Sequence, residues 1–367
     1  MMRGGSFEIN LSNEQTTELP KPQDNKFIPE SSPGLAETSD LHDVGHDRIE
    51  EAGNGISEIP KTLIDDNGNE ISDKDGNLKP NITYSLFGVE YKTDDNGNIY
   101  CIDGEPICNV TYVVDGHEYK TDDNGKQYRT EDGGWVPNNT YVLDEVTYKT
   151  DDNGNIYSID GKLQPNTTYE LNGNIYTTDE NGRIISCEAK PVRRPENPRD
   201  NEAQRQAGGE DRRPNDQGGH IVGRDINGDG GVGNLVAMDS KINQSDYKRM
   251  ENDIKSALDE GKEVTTKTEM TYSGDSERPD KITVTVTADG KDTVYKFDNN
   301  LDGSLRDEVP ENGKETVQDR LDETGGEISS IKEEYDENGN LVETTVYITY
   351  KGEDGTNYRT SVVIENQ

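Results

Sequence analysis

Between residues 61 and 187 the chain repeats itself every 28 or 29 residues, and this periodicity constrains the fold more than any other feature. Asp65-Asp66-Asn67-Gly68 recurs at 94–97, 122–125, 151–154 and, with one Glu, at 179–182. Tyrosines keep the same period: Tyr84, Tyr112, Tyr141 and Tyr169, then Tyr91, Tyr119, Tyr148 and Tyr176, then Tyr100, Tyr128 and Tyr157. Asn-Gly and Asp-Gly supply the positive φ angles that two-residue hairpin turns require, and Tyr and Thr suit a half-buried pleated surface. The pattern predicts an array of β-hairpins whose tyrosines stack between neighbouring units.

The acidic turns admit two readings. Asp and Asn oxygens are the donors Ca²⁺ prefers, but each turn offers only two carboxylates and no bidentate Glu at a fixed distance. Hairpin geometry alone accounts for the Asn-Gly steps. The Asn-x-Thr triplets at Asn81, Asn109, Asn138 and Asn166 match a glycosylation acceptor, yet they recur because the unit recurs.

Composition narrows the choice further. Only 28% of the 367 residues are hydrophobic and the net charge is −38, so one large close-packed core is not expected. A chain this acidic also repels phosphates on average, which argues against a simple basic DNA-binding module. No apolar run is long enough to span a membrane, and the start has no apolar segment of a conventional secretory signal, which leaves cytoplasmic residence, a fragment start and export by another route open. Cys101, Cys108 and Cys187 are too few for a disulfide framework. Residues 1–60 follow neither a strand nor a helix period and read as a disordered arm. His42 and His46 in that arm have helical zinc spacing, but Gly45 separates them and no third ligand is near.

The charge is unevenly spread. Residues 191–300 hold 17 Lys and Arg against 22 Asp and Glu, a net of −5, which leaves −33 elsewhere. Arg193, Arg194, Arg199, Arg205, Arg212 and Arg213 cluster ahead of Gly218-Gly219-His220. Arg suits bidentate phosphate contacts, and a salt-bridged surface is the bland equivalent. Two motifs here are decoys. Residues 228–233 satisfy G-x-G-x-x-G without a surrounding βαβ unit. The calcium-loop starts at Asp225 and Asp298 place Val236 and Val309 where a bidentate acid belongs.

Tyr247, Met250, Ile254 and Leu258 mark one face of a helix that Gly261 should stop, with Asn243 or Ser245 as its N-cap. Strand-like runs follow near 263–272, 281–288 and 291–297. Beyond 300, the runs 342–350 and 358–364 predict another hairpin or small sheet of unreadable function.

Several ordered motifs together resemble a known family. They are Ala207-Gly208-Gly209-Glu210-Asp211-Arg212, Asp216-Gln217-Gly218-Gly219-His220-Ile221, Asn234-Leu235-Val236, Asn243, Tyr247 to Glu251, and Tyr272-Ser273-Gly274-Asp275-Ser276-x-Arg278-Pro279. In this order they resemble the DNA/RNA non-specific endonucleases, in the branch found as toxin domains of type VII-secreted and polymorphic bacterial toxins. The similarity covers about 175–298. It implies a ββα-metal site in which His220 is the general base, Asn243 the direct ligand of Mg²⁺ (Mn²⁺ as a substitute) and Glu251 the holder of its water shell. Where many members carry Asp-Arg-Gly-His, the Arg position here is Gly218. Phosphate contacts then fall to Arg213, Arg212 and Arg205, while Gly218, Gly219 and Asn234 shape the loop. Without the resemblance, His220 reads as a packed histidine and Asn243 as a helix cap.

The expected architecture is α+β: a disordered arm (1–60), β-hairpin repeats (61–187), an endonuclease domain with an antiparallel sheet and one main helix (188–300), and a β-rich extension (301–367). The expected activity is metal-dependent, sequence-non-specific hydrolysis of DNA and/or RNA. The resemblance also implies a toxin exported without a conventional signal, acting inside a target cell, with a cognate immunity protein. The competing class is a calcium-dependent β-repeat adhesion protein with a degenerate endonuclease domain.

Overall fold

In the repeats, each Asp-Asp pair performs two different tasks. The first Asp closes its own turn: Asp65 Oδ1 accepts the backbone N–H of Asn67 (2.9 Å) and Asn69 (2.7 Å), and Asp94 and Asp151 do the same in later units. Its Oδ2 also accepts a strand N–H of the next unit, from Val113 to Asp94, Val142 to Asp122 and Glu170 to Asp151, and the second Asp reaches the next unit's hairpin turn. Asp66 accepts the N–H of Phe87 and Gly88, Asp95 those of Asp115 and Gly116, Asp123 that of Glu145, and Asp152 that of Gly173. These hairpin-turn residues have positive φ, so their amides point away from any strand partner and need such an acceptor. The computed structural model describing this covers residues 62–130 and 132–366. The arm expected over 1–60, with His42 and His46, lies outside the described residues.

The turn carboxylates are thus engaged with backbone amides, as the turn-chemistry reading expects. Among the described residues, no three His, Cys, Asp or Glu side chains gather into a metal-sized cluster. Asn81, Asn109, Asn138 and Asn166 all sit at φ near +50°, so the Asn-x-Thr triplets recur because the backbone there turns left-handed. At Gly154, besides a φ of +79°, a Cβ would lie 2.4 Å from the Trp135 carbonyl of the preceding unit.

Strands follow the tyrosines. β1 (Thr83–Leu86), β2 (Val89–Thr93), β3 (Ile99–Ile102) and β4 (Glu105–Pro106) form an antiparallel sheet. β5 (Thr111–Val114) pairs with β6 (His117–Lys120), and β7 (Thr140–Leu143), β8 (Val146–Thr150), β9 (Ile156–Ile159) and β10 (Lys162–Leu163) form the next sheet. Tyr84 opposes Tyr91 in register with stacked rings 5.3 Å apart. Between units, Tyr100 stacks on Tyr112 at 4.6 Å and Tyr157 on Tyr169 at 4.9 Å. Such pairs add about 0.5–1.5 kcal/mol each beyond area burial. Trp135 breaks the pattern by lying tilted against Tyr128, Tyr141 and Tyr148.

The last unit is built into a larger sheet. β11 (Thr168–Leu171), β12 (Asn174–Thr178) and β13 (Ile184–Ala189) form one end of a nine-stranded antiparallel sheet. It continues through β16 (Val264–Thr271), β17 (Lys281–Ala288), β18 (Lys291–Asp298), β19 (Glu327–Tyr335), β20 (Leu341–Lys351) and β21 (Asn357–Glu365). The sheet crosses both divisions expected from sequence: 187/188 falls inside β13, and 300/301 separates the hydrogen-bonded β18 and β19. The reason is burial. Tyr157, Tyr169, Tyr176, Ile184 and Cys187 share one core with Ile221, Met238, Tyr247, Met250, Ile282 and Phe297.

Outside this sheet, α1 (Asn201–Gln206) leads to a two-stranded ribbon of β14 (Asp216–His220) and β15 (Leu235–Asp239). A helical segment then crosses to β16. Its second part, α2 (Lys248–Asp259), buries Met250 and Ile254, and Gly261 at φ +82° ends it as the spacing requires. Its first part corrects the capping expectation. Asn243 and Ser245 lie inside a π-helical turn, Ile242–Tyr247, because Ser245 Oγ donates back to the Lys241 carbonyl and the Asn243 amide is drawn to Gln217. The C-terminal extension contains α3 (Lys314–Thr324) as well as strands, with its own core of Val317, Leu321, Ile328, Ile331, Val346, Ile348 and Ile364. Among the described residues, no helix is long and apolar enough to cross a membrane.

Candidate active site

His220 ends β14, paired in register with Leu235. Strand alternation places Gly218 and His220 on the face that α1 covers, and Gln217 and Gly219 on the other. The glycines record this. A Cβ on Gly218 would lie 2.7 Å from Gln204 Cα in α1, and one on Gly219 would lie 2.9 Å from Met238 Cβ. Gly218 and Gly219 were expected to shape a loop; instead they are buried inside the strand, where two layers approach too closely for any side chain.

The half-buried His220 ring presents Nε2 as a buried nitrogen with no hydrogen-bond partner. Burial, reinforced by the positive charges of Arg224 and Arg199, pushes its pKa down to about 4, with the Gly230 backbone acting in the opposite sense. The imidazole is therefore neutral near pH 7, with Nε2 a buried nitrogen left without a partner. The loop 223–234 forms the wall beside it. Asn234, fully buried, holds that loop with four bonds: Oδ1 accepts from Val222 N and Tyr176 Oη, and Nδ2 donates to the carbonyls of Val222 and Asp229.

Asn243 and Glu251 occupy the other side of the ribbon. Asn243 Nδ2 donates to Gln217 Oε1 at 2.8 Å, which fixes the amide and leaves Oδ1 as an acceptor with no partner among the described residues. Tyr247, one turn on, donates its hydroxyl to the Ile221 carbonyl at 2.7 Å and ties the helix to the end of the strand. Glu251 lies against Gly223 and pairs with Lys248 at 3.1 Å. Burial raises its pKa and the Lys248 charge opposes the rise. The structure brings Gln217 of β14 and Asn243 together and places Glu251 against Gly223; no hydrogen bond joins His220 to Asn243 or Glu251.

The arginines divide by what they hold. Arg212 donates to the carbonyls of Gln204, Ala207 and Asp216, so the group expected to bind phosphate is committed to bracing the loop. Exposed Arg205 pairs with Glu202, and among the described residues the exposed Arg213 side chain reaches only the Asn300 carbonyl, at 3.4 Å. Two others act on His220 through their charge. Arg224 is tied to Glu196 and the Asn197 carbonyl, while exposed Arg199 makes no hydrogen bond or ion pair among the described residues. Arg199 belonged to the sequence cluster but nothing in its spacing singled it out. Gln217 lay in the quoted motif, and its role needed the helix to be in place.

A model of the DNA/RNA non-specific endonuclease family matches residues 165–290. That segment is a DNA/RNA non-specific endonuclease domain. The endonuclease match begins at Pro165, so it takes in the last repeat unit, as the shared sheet and core do. A second model, of a family described as a protein of unknown function (DUF1410), matches 109–182. The type VII secretion system protein EssD of Staphylococcus aureus is 36% identical over 105 residues in strains USA300 and NCTC 8325. The alignment covers 27% of this chain and 17% of EssD, so the chain spans a minor part of the length of the curated relatives it matches. The calcium-like loops around this endonuclease domain are filled from within. Asp225 pairs with Lys255, and Asp298 accepts the N–H groups of Asn300, Asp302 and Gly303.

Proposed function

We propose that this chain is a metal-dependent endonuclease that hydrolyses phosphodiester bonds of DNA and/or RNA without sequence preference, carried by a type VII-secreted toxin. The observation that carries the reading is the neutral, unpartnered Nε2 of His220 at the end of β14 within the matched domain. In this reading β14, β15 and the helix after them are the ββα unit, and the hairpin units ahead of them are a repeat array. His220 takes a proton from the water that attacks phosphorus, a step typically worth 10²–10⁴-fold. Arg199, without an ion pair among the described residues and close enough for its charge to act on His220, neutralises the phosphate, the role that falls vacant when Gly218 stands at the family's Arg position. Gln217 orients Asn243, and Tyr247 holds the helix against the strand end.

The residues fit a sparsely coordinated cation. Asn243 Oδ1 is a hard, uncommitted oxygen and Glu251 a carboxylate eight residues on in the same helical segment, whereas no cluster of acids forms a closed cage among the described residues. Mg²⁺, or Mn²⁺ in its place, would be held by Asn243 with Glu251 supporting its waters, and when bound it supplies charge stabilisation for the phosphate and the departing oxygen. Contacts confined to phosphate carry no base information, which explains cutting without sequence preference. The similarity to EssD supports export by type VII secretion, and the reading carries with it action in a target cell and a cognate immunity protein, as the family resemblance implies.

The test is purified full chain with plasmid DNA or RNA and Mg²⁺. Cleavage that needs the metal and drops at least 100-fold in His220→Ala is expected. No cleavage by the parent, or equal cleavage by the variant, overturns the reading.

A further inference from the structure

We infer that the C-terminal extension, which lies beyond the matched domain, is a clamp that sets the helical turn carrying Asn243, with Arg359 as its positioning residue. The inference rests on the proposed reading of Asn243 as a metal ligand.

The π-helical turn Ile242–Tyr247 is an unusual backbone, and such turns persist where something outside the helix stabilises them. Here that support comes from β21. The Arg359 guanidinium contacts both Ser245 Oγ and Asp246 Oδ1. Ser245 simultaneously donates to the Lys241 carbonyl, four residues back, so a single hydroxyl links the widened turn to Arg359. Asp246 is buried and holds Arg249 as well, at 3.4 Å. Tyr347 of β20 fills the space between the two cations, with Arg249 4.1 Å and Arg359 5.7 Å from its ring centroid. Two elements of the extension thereby grip two consecutive residues of the turn, β21 through Arg359 and β19 through Ser329 and Ser330, which face Asp246, while Tyr347 of β20 packs its ring against Arg249 and Arg359. Asn243 lies two residues before Ser245, and its amide must point so that Nδ2 meets Gln217 while Oδ1 stays open. A regular α-helical turn would rotate the residues before Tyr247 relative to β14. Holding the turn open from 114 residues away is therefore what aims Asn243.

The experiment uses the full chain with Arg359→Gln, Arg359→Lys, Ser245→Ala and Asn243→Ala. Two quantities are measured: Mn²⁺ affinity of the substrate-free protein by electron paramagnetic resonance, and the Mg²⁺ midpoint of plasmid cleavage with Michaelis constants at saturating metal. Partners that orient a ligand typically control about 10–100-fold of metal affinity. Arg359→Gln is expected to weaken Mn²⁺ and raise the Mg²⁺ midpoint about tenfold with little change in the Michaelis constant for DNA. Arg359→Lys recovers part of this, and Ser245→Ala, which keeps the Asp246 ion pair, shifts both in the same direction by less. If Asn243→Ala loses Mn²⁺ while folded Arg359→Gln and Ser245→Ala bind it within about twofold of the parent, the clamp is overturned and the metal reading stands. If Asn243→Ala binds Mn²⁺ like the parent, the metal reading fails first and takes the clamp with it.

Discussion

The hydroxyl of Tyr169, in the last repeat, donates to the carbonyl of Gly233, in the loop beside His220, at 2.8 Å. Gly233 is packed so tightly there that a Cβ would fall within 3.1 Å of Leu171, Tyr157 and Tyr169. The last repeat and the candidate catalytic loop are therefore one packed body. Tyr169→Phe should cost about 1 kcal/mol of unfolding free energy, the usual worth of one such bond. Tyr169→Ala should cost about 3–5 kcal/mol, as for other buried aromatics. Urea unfolding of both variants checks the pair, and equal stabilities would show that the phenol ring is not part of the shared core.

The same packing predicts the fate of truncations. A fragment of 188–300 lacks β11, β12, most of β13 and all of β19–β21, and should not give a cooperative thermal transition. A chain starting at 165 and running to the end keeps the whole nine-stranded sheet and should melt cooperatively. Calorimetry of the two decides this.

Arg278 makes a buried two-point ion pair with Asp216, with Nε at 2.7 Å from Oδ2 and Nη2 at 3.0 Å from Oδ1. Its other donors reach Asn300 Oδ1 and the Asn299 carbonyl. Because Asp216 begins β14, this pair anchors the ribbon to the loops after β16 and β18. Asp216→Ala leaves the guanidinium buried and unpaired and should destabilise by about 3–5 kcal/mol. A denaturant midpoint unchanged from the parent would contradict it.

The depressed pKa of His220 carries a sign that can be checked. The group ionises near 6.5 when unfolded and near 4 when folded, so between these values the unfolded chain binds more protons. Its contribution to stability is complete above about pH 6.5 and is lost as pH falls toward 4. In cleavage, the acid limb of kcat/KM should likewise lie nearer 4 than 6.5, since that limb reports the free enzyme's base. A pH profile of the parent, with His220→Ala showing no such limb above background, is the measurement.

Gln217→Ala should raise the Mg²⁺ requirement about tenfold, because it frees the Asn243 amide to rotate without removing its oxygen. A metal titration of cleavage checks this, and an unchanged midpoint would detach Gln217 from the site.

What the sequence made legible was local. The Asp-Asp-Asn-Gly turns, the opposed tyrosines, the apolar face of α2 and the hairpin of β20 and β21 all depend on residues a few positions apart. His220, Asn243 and Glu251 were reached through ordered motifs. What stayed hidden was long-range pairing. The β13 to β16 ladder joins residues near 187 to residues near 268 and turns the last repeat into part of the endonuclease sheet. Gly218 looks like a loop glycine until Gln204 is found against it, and Arg212 like a phosphate ligand until three carbonyls surround it. Ser245 looks like a helix cap until Arg359 arrives from the far end of the chain.

The forward reach of Asp66, Asp95, Asp123 and Asp152 gives the repeats a polarity: each unit finishes its successor, and none finishes its predecessor in this way. A unit with the common residues can therefore be inserted or deleted whole, whereas the unit carrying Trp135 meets its successor through a ring the others lack. Spacing between whatever is attached ahead of the array and the domain behind it is then adjustable in steps of one unit. The exception is the final unit, whose rings are sealed into the endonuclease core and which cannot be exchanged without dismantling what it carries.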